Sequence, residues 1–129
     1  MNILKTTAPL ILSASLLAAC AGYAPQTAGP AKISDGILTG SNGMALYTFD
    51  KDAASSGKSV CNGPCATNWP PLLVMEGASA GGDYSIVIRD DGKKQWAYKG
   101  KPLYFWVKDQ KPGDKTGDGF NNAWRVAKP

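Results

Sequence analysis

The sequence predicts an all-β fold. The expectation is a small antiparallel domain of two repeats about a pseudo-twofold axis, sandwich or barrel-like, behind a signal peptide and a flexible tether. Leu46-Tyr47-Thr48-Phe49-Asp50-Lys51-Asp52 returns 57 positions later as Leu103-Tyr104-Phe105-Trp106-Val107-Lys108-Asp109. Such self-similarity means that each copy supplies the same structural unit. Short β-rich runs alternate with Gly-containing turn signals. No segment after residue 19 carries a persuasive helical periodicity.

The N-terminus reads as an address. Residues 1–19 hold one basic residue, Lys5, and then the apolar run Pro9 to Ala19. That run is too short to span a bilayer and has the layout of a secretory signal. It ends in Leu17-Ala18-Ala19-Cys20, which resembles the bacterial lipobox. The resemblance implies cleavage before Cys20 and lipid attachment to it, with at least two acyl chains making the anchor stable. Ala21 stands where an Asp would imply inner-membrane retention, so the expected location is the outer membrane, facing the periplasm. Residues 20–31 are Ala-, Gly- and Pro-rich with a single Tyr, too little apolar surface to order themselves, and read as a tether with a reach of about 17–20 Å. Residues 32–129 form the domain, with repeat one at about 32–76 and repeat two at about 83–129. A chain of that length builds one core without a large buried pocket.

Within the domain, Asn42-Gly43 turns the chain between Ile37-Leu38-Thr39 and the strand Met44 to Phe49. Tyr84 to Arg89 is β-rich, Asp90-Asp91-Gly92-Lys93 turns it into Gln95 to Tyr98, and Lys99-Gly100 turns it again into Pro102 to Val107. The expectation is a three-stranded meander. Outside the motif, Asp35-Gly36 matches Asp91-Gly92, Gly43 matches Gly100, and Trp69 matches Trp124. Strand alternation puts Tyr47 and Phe49 on one face, and Tyr104 and Trp106 likewise. These four read as core. Leu103, Phe105 and Val107 on the opposite face make the second strand central. Asp52 and Asp109, just past their strands, read as turn caps that accept backbone N–H groups.

Charge is uneven. Residues 21–92 carry four basic and seven acidic side chains, whereas residues 93–129 carry nine and three. Lys93, Lys94, Lys99 and Lys101 fall around one hairpin. They serve either as a solvated edge that discourages strand aggregation or as a rim for an anionic glycan or envelope protein. The compartment argues against nucleic acid.

Cys61-Asn62-Gly63-Pro64-Cys65 holds the two thiols left if Cys20 is lipidated. In an oxidising compartment a structural disulfide is the leading reading, stabilising by roughly 2 kcal/mol on the chain-entropy estimate. The alternative is a redox-active pair. The chain contains no histidine. That removes Ser-His-Asp and Cys-His nucleophile arrangements, the usual zinc sites, haem attachment, and the copper-delivery sites that share the C-x3-C spacing. Residues 114–118 lack the ligand pattern of a calcium loop, and Glu76 is the only glutamate for paired-carboxylate hydrolysis. No cofactor, metal or catalytic residue is expected. Of the four tryptophans, Trp106 and Trp124 read as core, whereas Trp69, beside Pro70-Pro71, is expected at the surface as part of a binding face.

Tyr47-x-Phe49-x-x-Asp52 and Tyr104-x-Trp106-x-x-Asp109 resemble the signature of predicted bacterial lipoproteins named for a Yx(FWY)xxD motif, also described as secreted repeats. The likeness extends through Gly57-Lys58-Ser59, Cys61 to Cys65, Asn68-Trp69-Pro70-Pro71-Leu72 and residues 113–119. It implies an envelope lipoprotein of uncharacterised activity and supplies no catalytic residues. The expected function is a non-enzymatic, membrane-anchored structural or protein/glycan-binding module. The alternative is a periplasmic thiol–disulfide participant using Cys61 and Cys65.

Overall fold

The two copies of the repeated strand lie side by side and pair with each other. The computed structural model describes residues 29–129. The expected signal peptide, Cys20 and most of the tether lie outside the described residues. Tyr47 N donates to Tyr104 O at 2.8 Å, and Tyr104 N donates to Tyr47 O at 2.9 Å. These are the same position of the two motifs, so a pseudo-twofold axis passes between them.

In chain order, β1 (Lys32–Ser34) and β2 (Ile37–Thr39) form an antiparallel hairpin. Asp35 and Gly36 close it at φ 50° and 77°, the positive φ pair that matches the twist of a two-residue hairpin. The chain reverses again at residues 40–44, where Asn42 Oδ1 accepts from Met44 N at 3.0 Å. β3 (Tyr47–Phe49) follows, then the short helix α1 (Pro64–Asn68). β4 (Tyr84–Ile88), β5 (Lys94–Tyr98) and β6 (Lys101–Pro102) make the meander. β7 (Trp124–Val126), after a 3-10 turn at Phe120–Asn122, pairs antiparallel with β3.

Two expectations change in detail. Against the reading of no helix, α1 exists; it is five residues long, too short for an apolar period to register. Pro64 presets its first turn. The strand expected over Pro102 to Val107 is divided. Pro102 has no N–H to extend the ladder, and after Leu103 N donates to Trp96 O the chain leaves β5 to pair with Tyr47. Val107, placed in a central strand, is 50% exposed.

The outer neighbours obey the same symmetry. Tyr47 pairs with Val126, and Tyr104 with Pro71. Ala127 N donates to Leu46 O at 2.7 Å, and Leu72 N to Leu103 O at 2.9 Å. The result is one antiparallel layer in the order 70–73, 103–107, 46–49, 124–127, so the copies join edge to edge.

Both faces of this layer are covered. One carries Tyr47, Phe49, Trp69, Tyr104, Trp106 and Trp124, and the other Leu38, Leu46, Leu103 and Ala127 with Leu72, Tyr84 and Phe105 around them. Leu46 and Leu103 are fully buried, each contributing about 1.5–3 kcal/mol of apolar burial. Ala31, assigned to the tether, packs against this second face. Gly100 sits where a side chain is excluded. It has φ 80°, and a Cβ there would lie 2.7 Å from Ser55 N.

Candidate functional site

The aromatic side chains of the two motifs do not form two separate clusters. They make one continuous stack in the order Phe49, Trp124, Trp69, Trp106. Ring centroids are 4.2, 3.8 and 4.0 Å apart, with interplanar angles of 11°, 1° and 24°. Phe49 and Trp106 are equivalent positions, as are Trp69 and Trp124, so the stack reads the same from either end. Tyr47 meets Trp69 edge-on at 5.3 Å, and Tyr104 meets Trp124 edge-on at 5.1 Å. The T-shaped contacts suit the ring quadrupoles. Trp69 is therefore not a surface residue. It is 3% exposed, because its strand packs beside Tyr104 and draws the indole to the centre of the stack. Gly117 allows this approach, since a Cβ there would lie 2.7 Å from the Trp69 ring.

The motif tyrosines and aspartates pair across the copies. Tyr47 Oη donates to Asp109 Oδ2 at 2.6 Å, and Tyr104 Oη donates to Asp52 Oδ2 at 2.5 Å. The other oxygen of each carboxylate accepts from its own loop. Asp52 Oδ1 takes Val60 N at 2.7 Å; Asp109 Oδ1 takes Thr116 N at 3.0 Å and Thr116 Oγ1 at 2.6 Å. The aspartates are thus turn caps, as their position suggested, and also acceptors for the opposite copy. Burial, and then the bonded carboxylate, raise both tyrosine pKa values. Burial also raises that of Asp52, against the opposing pull of the Tyr104 bond, the Val60 N–H and the Arg89 charge.

The first copy's polar core has an addition without a counterpart. Arg89, 4% exposed, donates from Nη1 to Ser59 Oγ at 3.0 Å and to Gln95 Oε1 at 2.7 Å, and from Nη2 to Cys61 O at 2.6 Å. The Tyr104 hydroxyl gives its hydrogen to Asp52, so Ser59 Oγ is the donor to Tyr104 Oη at 2.6 Å. A chain of donors then runs Arg89, Ser59, Tyr104, Asp52 from a buried cation to a buried anion. Gln95 Nε2 completes it by donating to Leu103 O at 2.7 Å. Apart from Arg89 Nε, which is buried without a partner, the members are spent on one another, which is the behaviour of framework.

Cys61 and Cys65 are joined in a disulfide across a Cα–Cα distance of 5.2 Å. Cys61 is fully buried and Cys65 half-buried. The bridge joins Cys61, three residues before α1, to Cys65, the second residue of α1, and Arg89 holds the Cys61 carbonyl. Among the described residues no cluster of three or more acidic, His or Cys side chains is placed to hold a metal.

The four lysines do not gather. Lys93 and Lys94 lie at the start of β5, whereas Lys99 and Lys101 lie past its far end, a separation of about 13–16 Å at the rise of a strand. All four are exposed. What the sequence did not single out is an open cleft of about 590 Å³ in the second copy, lined by Trp106, Val107, Lys108, Gln110, Thr116 and Phe120. Phe120 is 38% exposed and lies 4.9 Å from Trp106 between ring centroids. Lys108 Nζ lies 5.9 Å from the Trp106 centroid. The signal for it was present, since Val107 and Phe120 are apolar where the first copy has Asp50 and Pro64. Arg89, Ser59 and Gln95 were also missed, because nothing local distinguishes them.

No curated protein and no solved structure matches the chain. No helix among the described residues is long and apolar enough to cross a membrane. A family profile described as a secreted repeat of unknown function matches twice, over residues 30–73 and 85–128. Those matches coincide with the two symmetric halves of the layer, and the chain belongs to this family of secreted repeats.

Proposed function

We propose that this protein is a non-enzymatic envelope module, anchored to the outer membrane through lipid on Cys20 and binding a protein or glycan on its periplasmic side. The supporting observation is where the motif's reactive groups go. Tyr47, Tyr104, Asp52 and Asp109 bond to one another across the copies, leaving no poised acid–base pair for catalysis. Recognition then falls to the surfaces where the copies differ, and the open cleft beside Trp106 and Phe120 sets an exposed ring among polar groups there. The test is photo-crosslinking in living cells from position 110, at the cleft, and from position 51 at its first-copy counterpart. Reproducible capture from 110 alone supports the reading; capture from neither removes it. Cys20→Ser should move the protein from the membrane fraction to the soluble one.

A second reading, thiol–disulfide exchange, has the bonded Cys61–Cys65 pair and the half-buried position of Cys65 in its favour. It requires the pair to cycle at an oxidising potential of about −120 to −200 mV. A potential far below that range, measured by alkylation in redox buffers, eliminates it.

A further inference from the structure

The cleft of the second copy has a chemistry that its first-copy counterpart lacks. Three acidic side chains lie in its loop, and each turns an oxygen to the backbone. Asp109 accepts from Thr116, Asp114 Oδ2 from Gln110 N at 2.9 Å and Lys111 N at 3.2 Å, and Asp118 Oδ1 from Val126 N at 3.0 Å. Lys108, Lys111 and Lys115 in the same loop are exposed. None of them joins an ion pair among the described residues. The loop therefore presents three cations outward, buries Asp109, and ties one oxygen each of Asp114 and Asp118 to its own backbone. An exposed apolar ring, Phe120, and the polar groups of Gln110 and Thr116 complete the lining.

At the pseudo-symmetric end the balance is different. Asp50 takes the place of Val107, and its carboxylate is held by Arg125, with Nη2 at 2.9 Å and Nε at 3.1 Å. That ion pair is internal to the end, Lys51 stands at the place of Lys108, and Pro64 replaces Phe120, so the exposed ring is what this end lacks. A ligand that needs both a ring face and a cation finds them only in the second copy.

We propose that this cleft binds an acidic glycan. A sugar ring lies against Phe120 and the accessible edge of Trp106, its carboxylate faces Lys108, and its hydroxyls meet Gln110 and Thr116. An apolar face with a polar perimeter is what a pyranose ring offers to an aromatic side chain. Lys108, the one cation lining the cleft, supplies the opposite charge at short range. This inference rests on the cleft being the binding face; it adds the class of ligand.

The test titrates the full chain in detergent with hexagalacturonate, and separately with its fully methyl-esterified form, which keeps the ring and removes the charge. Binding is read from the indole N–H resonance of Trp106 and from tryptophan fluorescence. Saturable binding is expected for the acid, about tenfold weaker for the ester, the loss of one charge-assisted contact. Lys108→Gln and Phe120→Ser, both at exposed positions, should each weaken binding about fivefold or more, at unchanged near-UV circular dichroism. Arg125→Gln, at the counterpart end, should leave it unchanged. Equal binding of acid and ester, indifference to both cleft substitutions, or binding to anionic vesicles in place of the oligosaccharide would overturn the proposal. Crosslinking from position 110 separates the two levels. If hexagalacturonate fails while that position still captures a partner in cells, the ligand class is wrong and the binding face stands. If both fail, both fall.

Discussion

Exchange of tyrosine and aspartate between copies makes an energetic prediction that the linear motif does not. Within one motif, Tyr47 and Asp52 are five residues apart, yet Tyr47 bonds Asp109 and Tyr104 bonds Asp52. Each bond is buried and charge-assisted, and such bonds contribute about 1.5–3 kcal/mol. Tyr104→Phe removes the donor and leaves Asp52 with the Val60 N–H alone on its other oxygen. Asp52→Asn leaves one accepting oxygen for two donors, the Tyr104 hydroxyl and the Val60 N–H. Each single substitution should cost about 2–3 kcal/mol, and the double variant little more than either. The coupling energy is then about 1.5–3 kcal/mol for Tyr104 with Asp52, and the same for Tyr47 with Asp109. The mispaired combinations, Tyr47 with Asp52 and Tyr104 with Asp109, should be additive to within about 0.5 kcal/mol. Urea unfolding of the eight variants and wild type, followed by circular dichroism, measures all four cycles. Coupling within a single motif in place of coupling between motifs would refute the exchange.

Other outcomes follow from the same contacts. Replacing Cys61 and Cys65 together by Ala should lower stability by roughly 2 kcal/mol, read as a shift in the urea midpoint. Gly100→Ala should cost about 2 kcal/mol or more, since φ 80° disfavours a side chain and the new Cβ meets the Ser55 backbone; unchanged thermal unfolding would contradict it. The raised pKa of Asp52 means the folded state holds its proton to higher pH than the unfolded state does. Its contribution is most favourable at or below the ordinary value near 3.8, falls as pH rises through the raised folded value, and is then constant. The stability of wild type relative to Asp52→Asn, measured by urea titration across that range, should fall with rising pH; a rise would contradict the burial of Asp52. Expressed separately, residues 29–81 and 82–129 should each lack near-UV circular dichroism and recover it on mixing, because each copy holds half of every Tyr–Asp pair.

Much of the framework was readable because it depends on local rules. Turns at Asn42-Gly43, Asp90–Lys93 and Lys99-Gly100, strand alternation at Tyr47 and Phe49, and closely spaced cysteines all act over a few residues. What failed depended on distance. Trp69 beside two prolines was expected at the surface, yet the segment after it bonds through Pro70, Leu72 and Val74 to Phe105, Leu103, Trp96 and Lys94, and Pro71 between them has no N–H to lose. Pro71 even fits better there than Val would. Its counterpart Val126 requires Asp118 to satisfy its N–H, and the first copy has Asn62 at the place of that aspartate. The Arg89 chain joins residues 30, 45 and 52 positions apart, and no periodicity encodes such separations. The cleft depends on a loop fold that brings residues 106–110 against Thr116 and Phe120, which no local pattern encodes.

The face-to-face pair at the middle of the aromatic stack belongs half to each copy, Trp69 from the first and Trp124 from the second, with their planes 1° apart. Two indoles held in this way share their electronic excitation, and the shared state exists only while the halves are docked. The protein thus carries its own optical gauge of assembly, read from the ultraviolet without any label.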